Sequence, residues 1–112
     1  MLITNLDYAN IKHEEMAKLI GLKVKHIPML IGSFLEESES ILDNLQAAIA
    51  SKDYATIRST AHSIKGSAGN LRFNELANIA KELGHAGEKA DASFDYISYA
   101  DTMQIAIKTI KS

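Results

Sequence analysis

The sequence predicts an all-α fold, an antiparallel four-helix bundle with an additional short N-terminal helix, built as one domain over residues 1–112 with its bundle core at about 24–111. Two observations carry this. Apolar residues recur at the i, i+3, i+4, i+7 spacing of a helix face almost throughout. No stretch of four or more residues alternates in the manner of a half-buried strand between hairpin turns. The length of 112 residues adds a third, since it suits one domain with a single core. With 46% hydrophobic residues, one proline and six glycines, the composition is that of a packed globular chain.

Taken in order, residues from about Asp7 to Ile20 read as a shorter helix that stops at Gly21, with a less regular apolar stripe, capping one end or side of the bundle. The clearest helix runs from about Lys25 to Ala50, where Ile27, Leu30, Ile31, Phe34, Leu35, Ser38, Ile41, Leu42, Leu45 and Ile49 form one stripe. Pro28 suits its first turn. Glu36, Glu37, Glu39 and Asp43 fall off the stripe and form a solvated face. Asp53, a good N-cap, opens the next helix, with Tyr54, Ile57, Ala61, Ile64, Ala68 and Leu71 inward and an end near Asn70 or Leu71. A third begins near Asn74 with Leu76, Ile79, Ala80 and Leu83 inward. The segment from Gly84 to Asp91 is the softest stretch. A fourth helix begins near Ser93 with Tyr96, Tyr99, Ala100, Met103, Ile107 and Ile110 inward. Short connections between long helices predict antiparallel neighbours.

Charge and composition narrow the function. Twelve Lys and Arg against fourteen Asp and Glu give a net charge of −2, which argues against nucleic acid as a partner because no whole-domain positive field exists. The absence of cysteine removes disulfides, thiolate nucleophiles and Cys-based zinc sites, and fits a reducing compartment. No run of 18 apolar residues occurs, and the stretch MLITNLDYANIKHEE has neither the basic start nor the apolar core of a signal peptide. The expectation is a cytoplasmic, monomeric domain with no membrane partner and no apolar stripe left over for self-association.

One helix face stands apart. Arg58, His62, Lys65, Gly66 and Gly69 are spaced −4, 0, +3, +4 and +7 around the histidine and share a face. At 100° per residue His62 lies roughly 130° from the centre of the Ile57, Ala61, Ile64 and Ala68 stripe, which places its ring at the solvent edge. Each glycine in a helix interior costs about 1 kcal/mol relative to alanine. Gly66, Gly69 and Asn70 alone would equally mark a helix end. Beside His62 and Lys65 they also describe a bare patch where another protein can approach an imidazole closely. A neutral imidazole has a free nitrogen lone pair with which to attack phosphorus, and Lys65 and Arg58 would steady the charge on the transferring phosphoryl oxygens.

The run TAHSIKGSAGNL, Thr60 to Leu71, resembles the His-x-x-Lys-Gly signature of histidine-containing phosphotransfer (HPt) domains. The layout of a long helix with FLEES at Phe34 to Ser38, a break at SKDY from Ser51 to Tyr54, and then the histidine helix is similar to the family as well, over roughly Ile11 to Ile110. The resemblance implies a four-helix bundle in which His62 takes phosphate, on Nε2, from a phospho-aspartate of one receiver domain and passes it to another. Such receivers include those of hybrid sensor histidine kinases. It maps Lys65 onto the lysine beside the phosphohistidine and Gly66 onto the glycine that leaves room for the receiver. It implies no cofactor, because Mg²⁺ belongs to the receiver. One departure is Arg72, six residues after Gly66, where the family commonly has a glycine at the turn into the next helix. Gly69 or Asn70 is then expected to supply that backbone freedom earlier, with Arg72 near the docking surface and bearing on partner choice.

Other readings fare worse. A metal site from His13, His26, His62 and His85 lacks pairing at i+3 or i+4, and His13-Glu14-Glu15 has no second histidine of an HExxH motif. His13, His26 and His85 read as solvent-exposed helix residues. A hydrolase built on Ser63 or Ser67 lacks an oxyanion site within a helix interior. A kinase lacks a GxxxxGK[ST] loop or a Gly-rich kinase loop, so the chain reads as a carrier rather than an enzyme. A docking module that binds receivers without phosphotransfer keeps the fold but leaves His62, Lys65 and Gly66 without a joint purpose.

Overall fold

Two helix starts in this chain rest on side-chain oxygens close in sequence. In the computed structural model, which describes residue 2 and residues 6–111, Asp53 accepts from the Thr56 amide at 3.2 Å and Asp95 from the Ser98 amide at 3.1 Å. Each carboxylate satisfies one amide left without an intrahelical partner in a first turn. The helices are α1 (His13–Ile20), α2 (Ile27–Ser51), α3 (Tyr54–Asn70), α4 (Asn74–Glu88) and α5 (Tyr96–Thr109), with a 3-10 turn at Val24–His26 leading into α2. Pro28 sits in the first turn of α2, where its missing N–H costs nothing.

Packing follows the stripes. The long helices form a ring in which α3 lies against α2 and α4, and α5 closes it against the same two. Ile27, Ile31, Phe34, Leu45, Ile57, Ile64, Leu76, Leu83 and Met103 fill its centre. The molecule measures 43 × 24 × 20 Å, the long axis being set by the 25 residues of α2 at about 1.5 Å per residue. Helix α1 lies against the 3-10 turn and the start of α2, where Gly21 adopts φ 81° and its amide bonds back to the Ala17 carbonyl.

Three expectations are corrected. Residues 7–12 are not helical and α1 begins only at His13, because Tyr8 is held by distant partners. Its amide donates to Thr109 Oγ1 at 2.8 Å. Its phenol oxygen accepts from the Leu76 amide at 3.2 Å and donates to Glu75 at 3.3 Å, while its ring packs 4.7 Å from Phe73. The hydroxyl thus caps α4, whose own N-cap residue, Phe73, offers no side-chain acceptor. Isolated short helices are marginal, so these contacts win over local helix formation.

The stretch from Gly84 is not soft, since α4 continues to Glu88 and the turn comes at Lys89 to Asp91, where Ala90 has φ 49°. Asp91 binds the amide and hydroxyl of Ser93 at 2.9 and 2.6 Å, which delays α5 to Tyr96. Finally, apolar surface is left over: Leu19, Leu22, Val24 and Met29 are exposed around the start of α2, as are Ile97 and Ile105 on α5.

Candidate functional site

The α3–α4 contact fixes the site. A Cβ on Gly87 would stand 3.0 Å from Ile57 Cγ2 and 3.2 Å from both the Arg58 nitrogen and the Tyr54 carbonyl oxygen, and one on Gly84 would stand 3.5 Å from Ala61 Cβ. The two backbones therefore approach where only glycine fits well at 87. His62 follows Ala61 directly and, as its position on the helix requires, turns outward: Arg58, His62, Lys65 and Gly66 are all exposed, and Gly69 is half-buried.

His62 stands on a ridge between two grooves. On the α4 side a cleft of about 510 Å³ is lined by Arg58, His62, Lys65, Lys81, His85 and Glu88 among others. On the α2 side a shallower groove is lined by Glu37, Ser40, His62, Gly66, Ser67 and Asn70 among others. The Ser63 hydroxyl donates to the Ser59 carbonyl and the Ser59 hydroxyl to the Thr56 carbonyl, so neither offers its proton to a ligand. A Cβ on Gly66 or Gly69 would meet nothing within 4 Å. Packing within the chain thus does not demand glycine at either position.

The remaining candidates separate. Arg72 adopts φ 65°, so the left-handed turn falls at Arg72 itself, while Gly69 and Asn70 stay helical. The expectation that Gly69 or Asn70 takes that role is corrected. The Arg72 guanidinium donates to the Leu19 carbonyl at 3.4 Å, reaching toward α1 rather than His62. His13 and His26 are half-buried, not solvent-exposed; His85 is exposed but shares the groove with His62. Among the described residues no group of three or more His, Asp or Glu side chains is placed to hold a metal ion, and no helix is long and apolar enough to cross a membrane.

Sequence reasoning missed Lys81 and His85 as neighbours of the histidine. Glycines at 84 and 87, one turn apart on one face, are the signal of a close helix contact, but only the register with α3 shows what flanks it.

A solitary outward histidine on the second long helix of a four-helix ring, with lysine at +3 and glycine at +4, is the arrangement of a phosphotransfer domain. The model of the Hpt domain family matches residues 29–109, and the chain belongs to that family. It is a histidine phosphotransfer protein of phosphorelays, a carrier and not a kinase. Among solved structures it is similar to the crystal structure of histidine-containing phosphotransfer protein B (HptB) from Pseudomonas aeruginosa PAO1, with a TM-score of 0.76 and 26% identity over 88% of this chain and 84% of that one. Comparison with curated protein sequences yields no match.

Proposed function

We propose that His62 is the phosphoryl acceptor, loaded from a phospho-aspartate of one receiver domain and discharged to the aspartate of another. The observation that carries this is the exposed His62 ring on the outer face of α3, one turn from a glycine whose missing side chain leaves open space. On loading, the Nε2 lone pair forms the N–P bond as the P–O bond to the donor aspartate breaks, and that electron pair returns to the carboxylate. The Nδ1 proton stays on the ring. Discharge reverses these steps on the acceptor. Lys65 and Arg58, three residues after and four before on the same face, offset charge on the phosphoryl oxygens as it moves. Gly66 and Gly69 leave room for the receiver to approach. The carrier acts in the cytoplasm, away from nucleic acid and membranes, and needs no cofactor of its own because the Mg²⁺ belongs to the receiver.

The test is transfer of radiolabel from an Mg²⁺-loaded phospho-receiver to the wild type and to His62→Gln. Acid-labile, base-stable label on the wild type alone, chased onward by a second receiver, is the expected outcome. Equal labelling of the variant would remove His62 from the reaction.

A further inference from the structure

The two grooves beside His62 differ in charge, and that difference orients the reaction. The α3–α4 groove is lined by three permanent cations, Arg58, Lys65 and Lys81, together with His62 and His85, against the single carboxylate of Glu88. The α2–α3 groove holds one charged group, Glu37. This local excess of positive charge occurs in a chain of net charge −2. Among the described residues the ion pair present is Lys12–Glu15, so no carboxylate lies within 4.0 Å of the Arg58, Lys65 or Lys81 nitrogens. The register set by Gly84 against Ala61 and Gly87 against Arg58 runs the helices antiparallel. It brings Lys81 level with Ile64 and Lys65, and His85 level with Thr60 and Ala61, so both stand across the groove from His62.

Resting on His62 as the acceptor, we propose that the α3–α4 groove is the phosphoryl-anion site of this carrier and that Lys81 and His85, supplied by α4, hold the phosphoryl oxygens on that side. The phosphoryl group and the acidic centre of the receiver then lie over α4. The Glu37 side repels them, and its small residues Ser40, Gly66 and Ser67 take the receiver's uncharged surface. Arg58 and Lys65 act along the histidine's own helix, whereas Lys81 and His85 act from across the groove, and a dianion held from two helices is fixed in direction as well as in charge.

Two measurements test this. Titration of the unphosphorylated protein with inorganic phosphate at constant ionic strength, followed by NMR, should shift Lys81, His85, Arg58 and Lys65 and leave Glu37 and Ser40 unmoved; absence of shifts at Lys81 and His85, or shifts centred on the α2–α3 groove, would overturn the assignment. In the transfer assay Lys81→Gln and His85→Gln should each slow loading about tenfold, as expected for loss of one bond to a charged group, and move the ³¹P resonance of the phosphohistidine. Lys108→Gln, which makes the same charge change as Lys81→Gln but on α5, should do neither. Full-rate transfer with an unmoved ³¹P signal in both groove variants would refute the inference while His62 stands. Failure of the wild type to load would refute the acceptor role instead, and the phosphate titration would still decide the groove.

Discussion

Alanine at two glycines should move stability in opposite directions. At Gly66 a Cβ meets nothing within 4 Å, so Gly66→Ala gains only the helix preference of alanine, about 1 kcal/mol, or roughly 4 °C in Tm for a domain of this size. At Gly87 the same preference is opposed by contacts of 3.0 Å to Ile57 Cγ2 and 3.2 Å to two backbone atoms of α3. A side-chain tip can swing away; the Arg58 nitrogen and Tyr54 carbonyl move only if the helices part. Overpacking of this kind costs about 1–3 kcal/mol, and since relief here requires backbone movement the upper part of that range applies. The net is a loss of about 1–2 kcal/mol, or roughly 4–8 °C. Thermal unfolding by circular dichroism reads both. A Gly87→Ala protein as stable as Gly66→Ala would refute the claim that α3 and α4 touch through that glycine. The Gly66 variant also separates folding from docking: it should melt higher yet transfer phosphate more slowly.

Three further perturbations follow from single residues. Arg72 holds φ 65°, a conformation that costs a residue with a Cβ about 1 kcal/mol; Arg72→Gly should therefore exceed Arg72→Ala in stability by about that much, since both lose the contact to Leu19, and equal denaturant midpoints would remove the strain. Asp53 and Asp95 have carboxyls held below the usual range, first by the hydroxyls of Thr56 and Ser98 and then by the amides of the same residues. The stability they lend is present above the unfolded carboxylate value and lost as pH falls through their folded values. Asn at both positions keeps the caps but should flatten the dependence of Tm on pH between about 5 and 2, and an unchanged slope would count against it. Tyr8 is pushed up to about 12, mainly by burial, with the Leu76 amide opposing and the Glu75 carboxylate adding. Its contribution is complete below the ordinary phenol value and fades as pH rises toward 12. Absorbance titration should show a late-ionising phenol that Tyr8→Phe removes.

What could be read in advance is what a single helix determines. Asp53 as a cap, Pro28 in a first turn and the outward direction of His62 each need only local periodicity, and each is where the sequence predicts it. The strap at Tyr8 was illegible because its partners lie 67, 68 and 101 residues away. The segment from Gly84 to Asp91 reads as soft because a glycine's use depends on what opposes it, and the atoms opposing Gly84 and Gly87 belong to another helix. For the same reason the place of Lys81 and His85 beside His62 is not legible in the sequence. The turn glycine of the family was sought at Gly69 or Asn70, while the backbone simply bends at Arg72 and accepts the strain.

The ridge on which His62 stands also sets the kinetics of any relay through it. Both grooves open onto one ring, so two receivers cannot be served at once, and each must leave before the next arrives. Such traffic is ping-pong, giving parallel double-reciprocal plots when donor and acceptor concentrations are varied. An unphosphorylated receiver in excess becomes a competitor of the loaded one, and throughput is governed by how quickly a spent partner departs.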